Sequence, residues 1–135
     1  MARILIIDDD PDVLAFMAAA LTRKGHAVTT ASDGLRGLDQ LKSQVFDLAI
    51  TDIFMPTKDG IEFIVALRKQ VPDLPVIAVT GGHSEVVEPV SRIMQFYGAV
   101  TVLAKPFTPA RLEAEVQAAL LAGSTGSSTA ICSNG

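Results

Sequence analysis

Short apolar runs recur along this chain at near-regular intervals, and each is followed by an amphipathic stretch long enough for a helix. Short runs rich in apolar and β-branched residues, bounded by turn formers, predict buried strands over 3–7 ("RILII"), 27–30, 48–51, 75–79 and 100–103. Helical patterns predict helices within "DDPDVLAFMAAALTRKG" and over 33–43, 60–70, 84–97 and 109–121. In the first of these, Asp10 suits the N-cap, Pro11 the first helical position and Gly25 the stop. Strand–helix alternation of this kind implies an α/β fold with a parallel sheet covered on both faces. For five strands the common doubly wound, flavodoxin-like order is 2-1-3-4-5, which leaves a crevice at the carboxyl ends of strands 1 and 3.

Two of the apolar runs finish in carboxylates. Asp8 and Asp9 end "RILII", and Asp52 follows "FDLAI" and Thr51. Charge at a strand end adds nothing to a core, so packing does not account for it. With strands 1 and 3 side by side, these carboxylates converge on the crevice, where like charges repel unless a cation joins them. The ligand site that the topology predicts and the charge cluster that the residues predict are the same place.

Bulk properties restrict the alternatives. The chain has 135 residues, 49% of them hydrophobic, enough for one good core. A net charge of -4 argues against a nucleic-acid partner held by electrostatics. One cysteine, Cys132, excludes an intrachain disulfide and fits a reducing compartment. The first apolar run is too short for a signal-peptide core or a membrane span, so the expectation is a cytoplasmic protein without membrane attachment. Residues 1–122 are expected to form the domain. The remainder, 123–135, reads as a flexible Gly/Ser-rich tail with no second domain after it.

Four segments, "ILIIDDDPD", "DLAITDIFMPTKDG", "PVIAVTGG" and "VLAKPF", occur in this order at the strand ends. Together they resemble the receiver domain of two-component response regulators, over roughly residues 3–121, and of the stand-alone single-domain type. The resemblance implies an aspartyl phosphate on Asp52, formed with Mg²⁺ by transfer from a sensor histidine kinase or a histidine phosphotransfer protein. It implies direct metal ligation by Asp9 and Asp52, help from Asp8 through water, and a further ligand from the Phe54 carbonyl. Lys105 and the hydroxyl of Thr80 would take the phosphoryl oxygens. Such a domain is not a conventional enzyme, although it catalyses its own phosphorylation and dephosphorylation. Its output is a changed protein–protein contact, expected on the face formed by the helix over 84–97, the fifth strand and the last helix.

The chemistry agrees with these residue types. A carboxylate attacking phosphorus gives an acyl phosphate, and phosphoryl transfer is mostly positioning and charge neutralisation. Mg²⁺ takes oxygen ligands and retains several waters, so a few carboxylates suffice. Other residues have plainer readings. Asp10 and Asp12 suit a helix start, Asp59 and Gly60 a turn, and His26 a surface or edge position. His83 is read as a solvated loop residue beside the site, and Cys132 as incidental.

The sequence departs from the family in two places. Many receivers carry Tyr or Phe three residues before the lysine, a ring that moves inward on activation. Here that position is Val102, which has no ring. The stretch from Thr80 to Lys105 is also about one helical turn longer than usual, around "GGHSEVVEP". Val86, Val90, Ile93 and Tyr97 follow the spacing of a core face, whereas Val87, Met94 and Phe96 fall outside it. Those three either form a partner or homodimer surface or pack inward.

Other functions fit less well. A haloacid-dehalogenase-like phosphatase needs a second aspartate two positions after the nucleophile, where this chain has Phe54. A phosphorylation-independent interaction module would not need the full set Asp8, Asp9, Asp52, Thr80 and Lys105. The Gly/Ser-rich ending is also compatible with a receiver fragment of a longer regulator.

Overall fold

The computed structural model describes residues 1–53, 60–81 and 101–129, with the side chains of 60, 61 and 122–129 excepted. Its elements are β1 (Arg3–Ile7), α1 (Pro11–Arg23), β2 (Ala27–Ala31), α2 (Gly34–Ser43), β3 (Leu48–Asp52), α3 (Gly60–Gln70), β4 (Val76–Thr80), β5 (Thr101–Ala104) and α4 (Pro109–Thr129). The strands form one sheet in the order β2-β1-β3-β4-β5, with every pairing parallel. The expected doubly wound topology is therefore observed, with strand ends within one residue of expectation. The helix expected over 84–97, with Val86, Val87, Val90, Ile93, Met94, Phe96 and Tyr97, lies outside the described residues. So do Phe54, Gly82, His83 and Cys132.

Period-two alternation divides the strand side chains between two cores. Leu5, Ile7, Ala49, Val76 and Ala78 pack with Phe63, Ile64 and Leu67 of α3. Ile4, Ile6, Leu48, Ile50, Ile77 and Val79 pack on the other face with Met17 and Leu21 of α1 and Leu112 and Val116 of α4. Because both faces are covered, β3 and β4 are buried at every residue, which explains their continuous apolar runs. On the first face α2 approaches closely. A Cβ added at Gly37 would lie 2.9 Å from Ile7 Cγ1 and 3.0 Å from Phe63 Cε1.

The ends of α1 follow from its sequence. The Asp10 side chain accepts from the Asp12 N–H at 2.9 Å, and Pro11 opens the helix. At the other end Gly25 takes φ +89°, a left-handed conformation. The Gly25 N–H donates to the Thr22 carbonyl at 2.9 Å and the His26 N–H to the Leu21 carbonyl at 3.2 Å, which satisfies two of the last carbonyls. The chain then enters β2, where the Ala27 N–H donates to the Ala2 carbonyl at 2.8 Å.

The last helix departs from expectation. Propensity places its end at Leu121, before "AGSTGSST", yet the helical backbone continues to Thr129. Each added residue of an established helix gains a hydrogen bond, so propagation can pass residues too weak to nucleate one. Among the described residues no helix is long and apolar enough to cross a membrane.

Candidate phosphoacceptor site

Strand register sets the site before any side chain is considered. Ile7 pairs with Thr51, so Asp8 and Asp52 leave adjacent strands side by side. Asp52 pairs with Val79, and Thr80 with Ala104. The Lys105 N–H then donates to the Thr80 carbonyl at 2.7 Å, extending the ladder by one bond and holding the lysine at the same end of the sheet. Alternation does the rest. Asp8 continues the series Ile4, Ile6, and Asp52 the series Leu48, Ile50, so both carboxylates lie on the α1 and α4 side.

Carboxylate oxygens of Asp8, Asp9 and Asp52 lie within 4.8 Å of one another. Asp8 is fully buried and Asp52 is 5% exposed, while Asp9 faces solvent. Lys105 reaches between the buried pair. Its Nζ donates to Asp8 Oδ2 at 3.1 Å and to Asp52 Oδ2 at 3.2 Å. The other oxygen of Asp8 accepts the Asp10 N–H at 2.9 Å, which ties the site to the cap of α1. Thr80 is fully buried at the end of β4.

Burial pushes the Asp8 carboxyl above its usual range, and the charge of Asp52 adds to the rise; the Asp10 amide and Lys105 only partly offset it. For Lys105, burial acts to lower the pKa. The hydrogen bond to Asp8 and the charges of both aspartates outweigh it, and the net shift is upward. The ammonium is thus held protonated between two carboxylates that would otherwise repel.

The structure brings together Asp8, Asp9, Asp52 and Lys105, with Thr80 on the neighbouring strand end. Phe54 lies outside the described residues. Asp10 and Asp12 take the helix-start roles expected of them. Two features were not anticipated. Lys105 pairs with Asp8 as well as with Asp52, although 97 residues separate the two in sequence. The rings of Phe16 on α1 and Phe107, two residues after Lys105, meet at a centroid distance of 5.9 Å and an interplanar angle of 47°.

A family model described as the response regulator receiver domain matches residues 4–117. The chain belongs to this family. It is 34% identical over 122 residues to the response regulator receiver protein CpdR of Brucella abortus, covering 90% of this chain and 99% of that protein. It is 39% identical over 128 residues to the transcriptional regulatory protein PrrA of Mycobacterium tuberculosis, covering 94% of this chain and 54% of that protein. A CheY-like receiver domain from Methanospirillum hungatei superposes with a TM-score of 0.86 at 29% identity, covering 93% of this chain and 98% of that one. Among its relatives the chain thus spans nearly all of some and less than a quarter of others.

Proposed function

We propose that this chain is a phosphoacceptor switch of a two-component system, with Asp52 as the phosphorylated residue. One observation carries the reading. A nearly buried carboxylate stands at a strand end beside a second carboxylate, and one lysine from a distant strand bonds both. In the transfer, an Asp52 carboxylate oxygen forms a bond to phosphorus. The bond from phosphorus to an imidazole nitrogen of a kinase or phosphotransfer protein breaks, and its electron pair stays on that nitrogen. Lys105 and the Thr80 hydroxyl serve the phosphoryl oxygens.

Among the described residues the site's donors are carboxylate oxygens within 4.8 Å of one another, a set that suits a hard divalent cation such as Mg²⁺. Asp9 and Asp52 would hold it directly, with Asp8 assisting and the Phe54 carbonyl contributing. When bound, the cation neutralises charge on the carboxylates and the incoming phosphoryl oxygens. The output is a changed affinity for a protein target, with no nucleic-acid or membrane contact of its own. A cytoplasmic setting accords with this chemistry.

The test is intact mass after treatment with acetyl phosphate. Wild type with Mg²⁺ gains one phosphoryl group, whereas Asp52→Asn, or wild type with EDTA, gains none. An adduct that persists in Asp52→Asn assigns the phosphoacceptor elsewhere. No adduct on wild type, together with no binding of beryllofluoride, leaves an interaction module that works without phosphorylation.

A further inference from the structure

Lys105 and Asp8 each begin a short connection to a helix, and the Phe16–Phe107 contact joins the two helix-bearing segments outside the site. Three residues, 106–108, separate Lys105 from α4. Thr108 is fixed to that helix, since its Oγ1 accepts the Arg111 N–H at 3.1 Å and its carbonyl accepts the Leu112 N–H at 3.1 Å. A displacement of Lys105 therefore falls on Pro106 and Phe107. On the other side Asp8 holds the Asp10 N–H, and Asp10 caps α1, which carries Phe16. Phe107 is half-buried against the α1/α4 core, whereas Phe16 is 38% exposed. Val102, half-buried on β5, has no ring to move.

We propose that the Phe16–Phe107 ring contact is the device by which a change at Asp52 reaches the surface of this molecule. The proposal rests on the phosphoacceptor reading. Without a phosphoryl group the Lys105 ammonium is shared between Asp8 and Asp52. A phosphoryl group brings up to about two negative charges and strong acceptor oxygens, which draw the ammonium off Asp8. Both anchors of the ring pair then change at once. The exposed edge of Phe16 presents a different surface in each state, which is the differential interaction that a population shift requires.

The chain contains no tryptophan, so Phe16→Trp introduces one selectively excitable tryptophan at the contact. Beryllofluoride and Mg²⁺ are added to this variant, with Mg²⁺ alone as baseline, and ¹⁹F NMR records bound beryllofluoride independently. The expected result is a shift of the emission maximum with the adduct, and loss of that shift when Phe107→Leu is added while the ¹⁹F signal remains. In wild type, the nuclear Overhauser contact between the two rings is expected to weaken with the adduct, a readout that needs no variant. A bound adduct with unchanged emission and an unchanged ring–ring contact overturns the proposal, as does a shift that survives Phe107→Leu. Absence of the ¹⁹F adduct in wild type overturns the phosphoacceptor reading and this device with it.

Discussion

At the amino ends of the strands, polar side chains close bonds with nearby backbone. The Asp47 carboxylate accepts the Arg3 N–H at 2.8 Å, His26 Nδ1 accepts the Ala2 N–H at 3.1 Å, and Arg68 donates to the Pro72 and Leu74 carbonyls at 3.0 and 2.5 Å. At the carboxyl ends, charged side chains bond mainly to one another, across positions 53 and 97 residues apart. Bonds of the first kind satisfy the backbone where the chain turns, and are finished by folding. Bonds of the second kind hold two buried anions with one cation, so the balance shifts when another cation or anion arrives. The same sheet thus has a structural end and an end that can respond.

Removing the shared cation tests this contrast most severely. Lys105→Met leaves Asp8 and Asp52 buried without their common partner, and truncating one member of a buried ion network costs about 3 kcal/mol or more. Urea denaturation in EDTA is expected to show that loss, and Mg²⁺ to restore part of it by supplying charge at the same carboxylates. Arg3→Met at the other end removes an exposed bond to Gln44 and is expected to change stability by less than about 0.5 kcal/mol. Equal effects at the two ends would mean that the Lys105 ammonium is not what holds the carboxylate pair in place.

Legibility in the sequence divides along the same line. The strands and the carboxylates at their ends could be read because each depends on local pattern, apolar runs and a charge directly after a strand, while the strand order followed from the common arrangement of five such units. The Lys105–Asp8 bond could not, because it depends on register across four strands, set by backbone pairing such as Thr80 with Ala104. The sequence places His26 at a surface or edge position, but its bond to Ala2 depends on how the Gly25 turn delivers the ring to the start of β1. Phe16 is one of several apolar residues in α1, and nothing in its local sequence marks it out. Its ring partner follows the lysine motif 91 positions later, and only packing of α1 beside α4 brings the two together.

A smaller effect is expected just beneath the charged end. Gly37→Ala places a methyl group 2.9 Å from Ile7, the residue before Asp8, and 3.0 Å from the fully buried Phe63. Overpacking costs about 1–3 kcal/mol, and the better helix propensity of alanine returns about 1. The net loss of about 1 kcal/mol is measurable as a lower urea midpoint with an unchanged slope. An accompanying fall in Mg²⁺ affinity would mean that β1 shifts and carries Asp8 with it. A fall in stability alone would mean that the apolar layer yields while the site holds its geometry.

The smallest effect belongs to the structural end and has a definite sign. Burial lowers the His26 pKa below its ordinary 6.5, and the nearby N-terminal ammonium lowers it further. The bond from the Ala2 N–H also needs Nδ1 unprotonated. Below pH 6.5 the unfolded chain therefore binds more protons at this residue than the folded one, so its contribution to stability is complete above that value and declines as pH falls through it. Melting temperatures of wild type and His26→Gln, measured in EDTA from pH 7.5 to 5.5, are expected to differ in slope, because glutamine offers an acceptor that does not titrate. Wild type should lose more on acidification, and the two curves should converge towards the acid side. Parallel curves would show that the ring packs at the edge without its nitrogen holding the start of β1, and the amino end would then be closed by the Arg3–Asp47 bond.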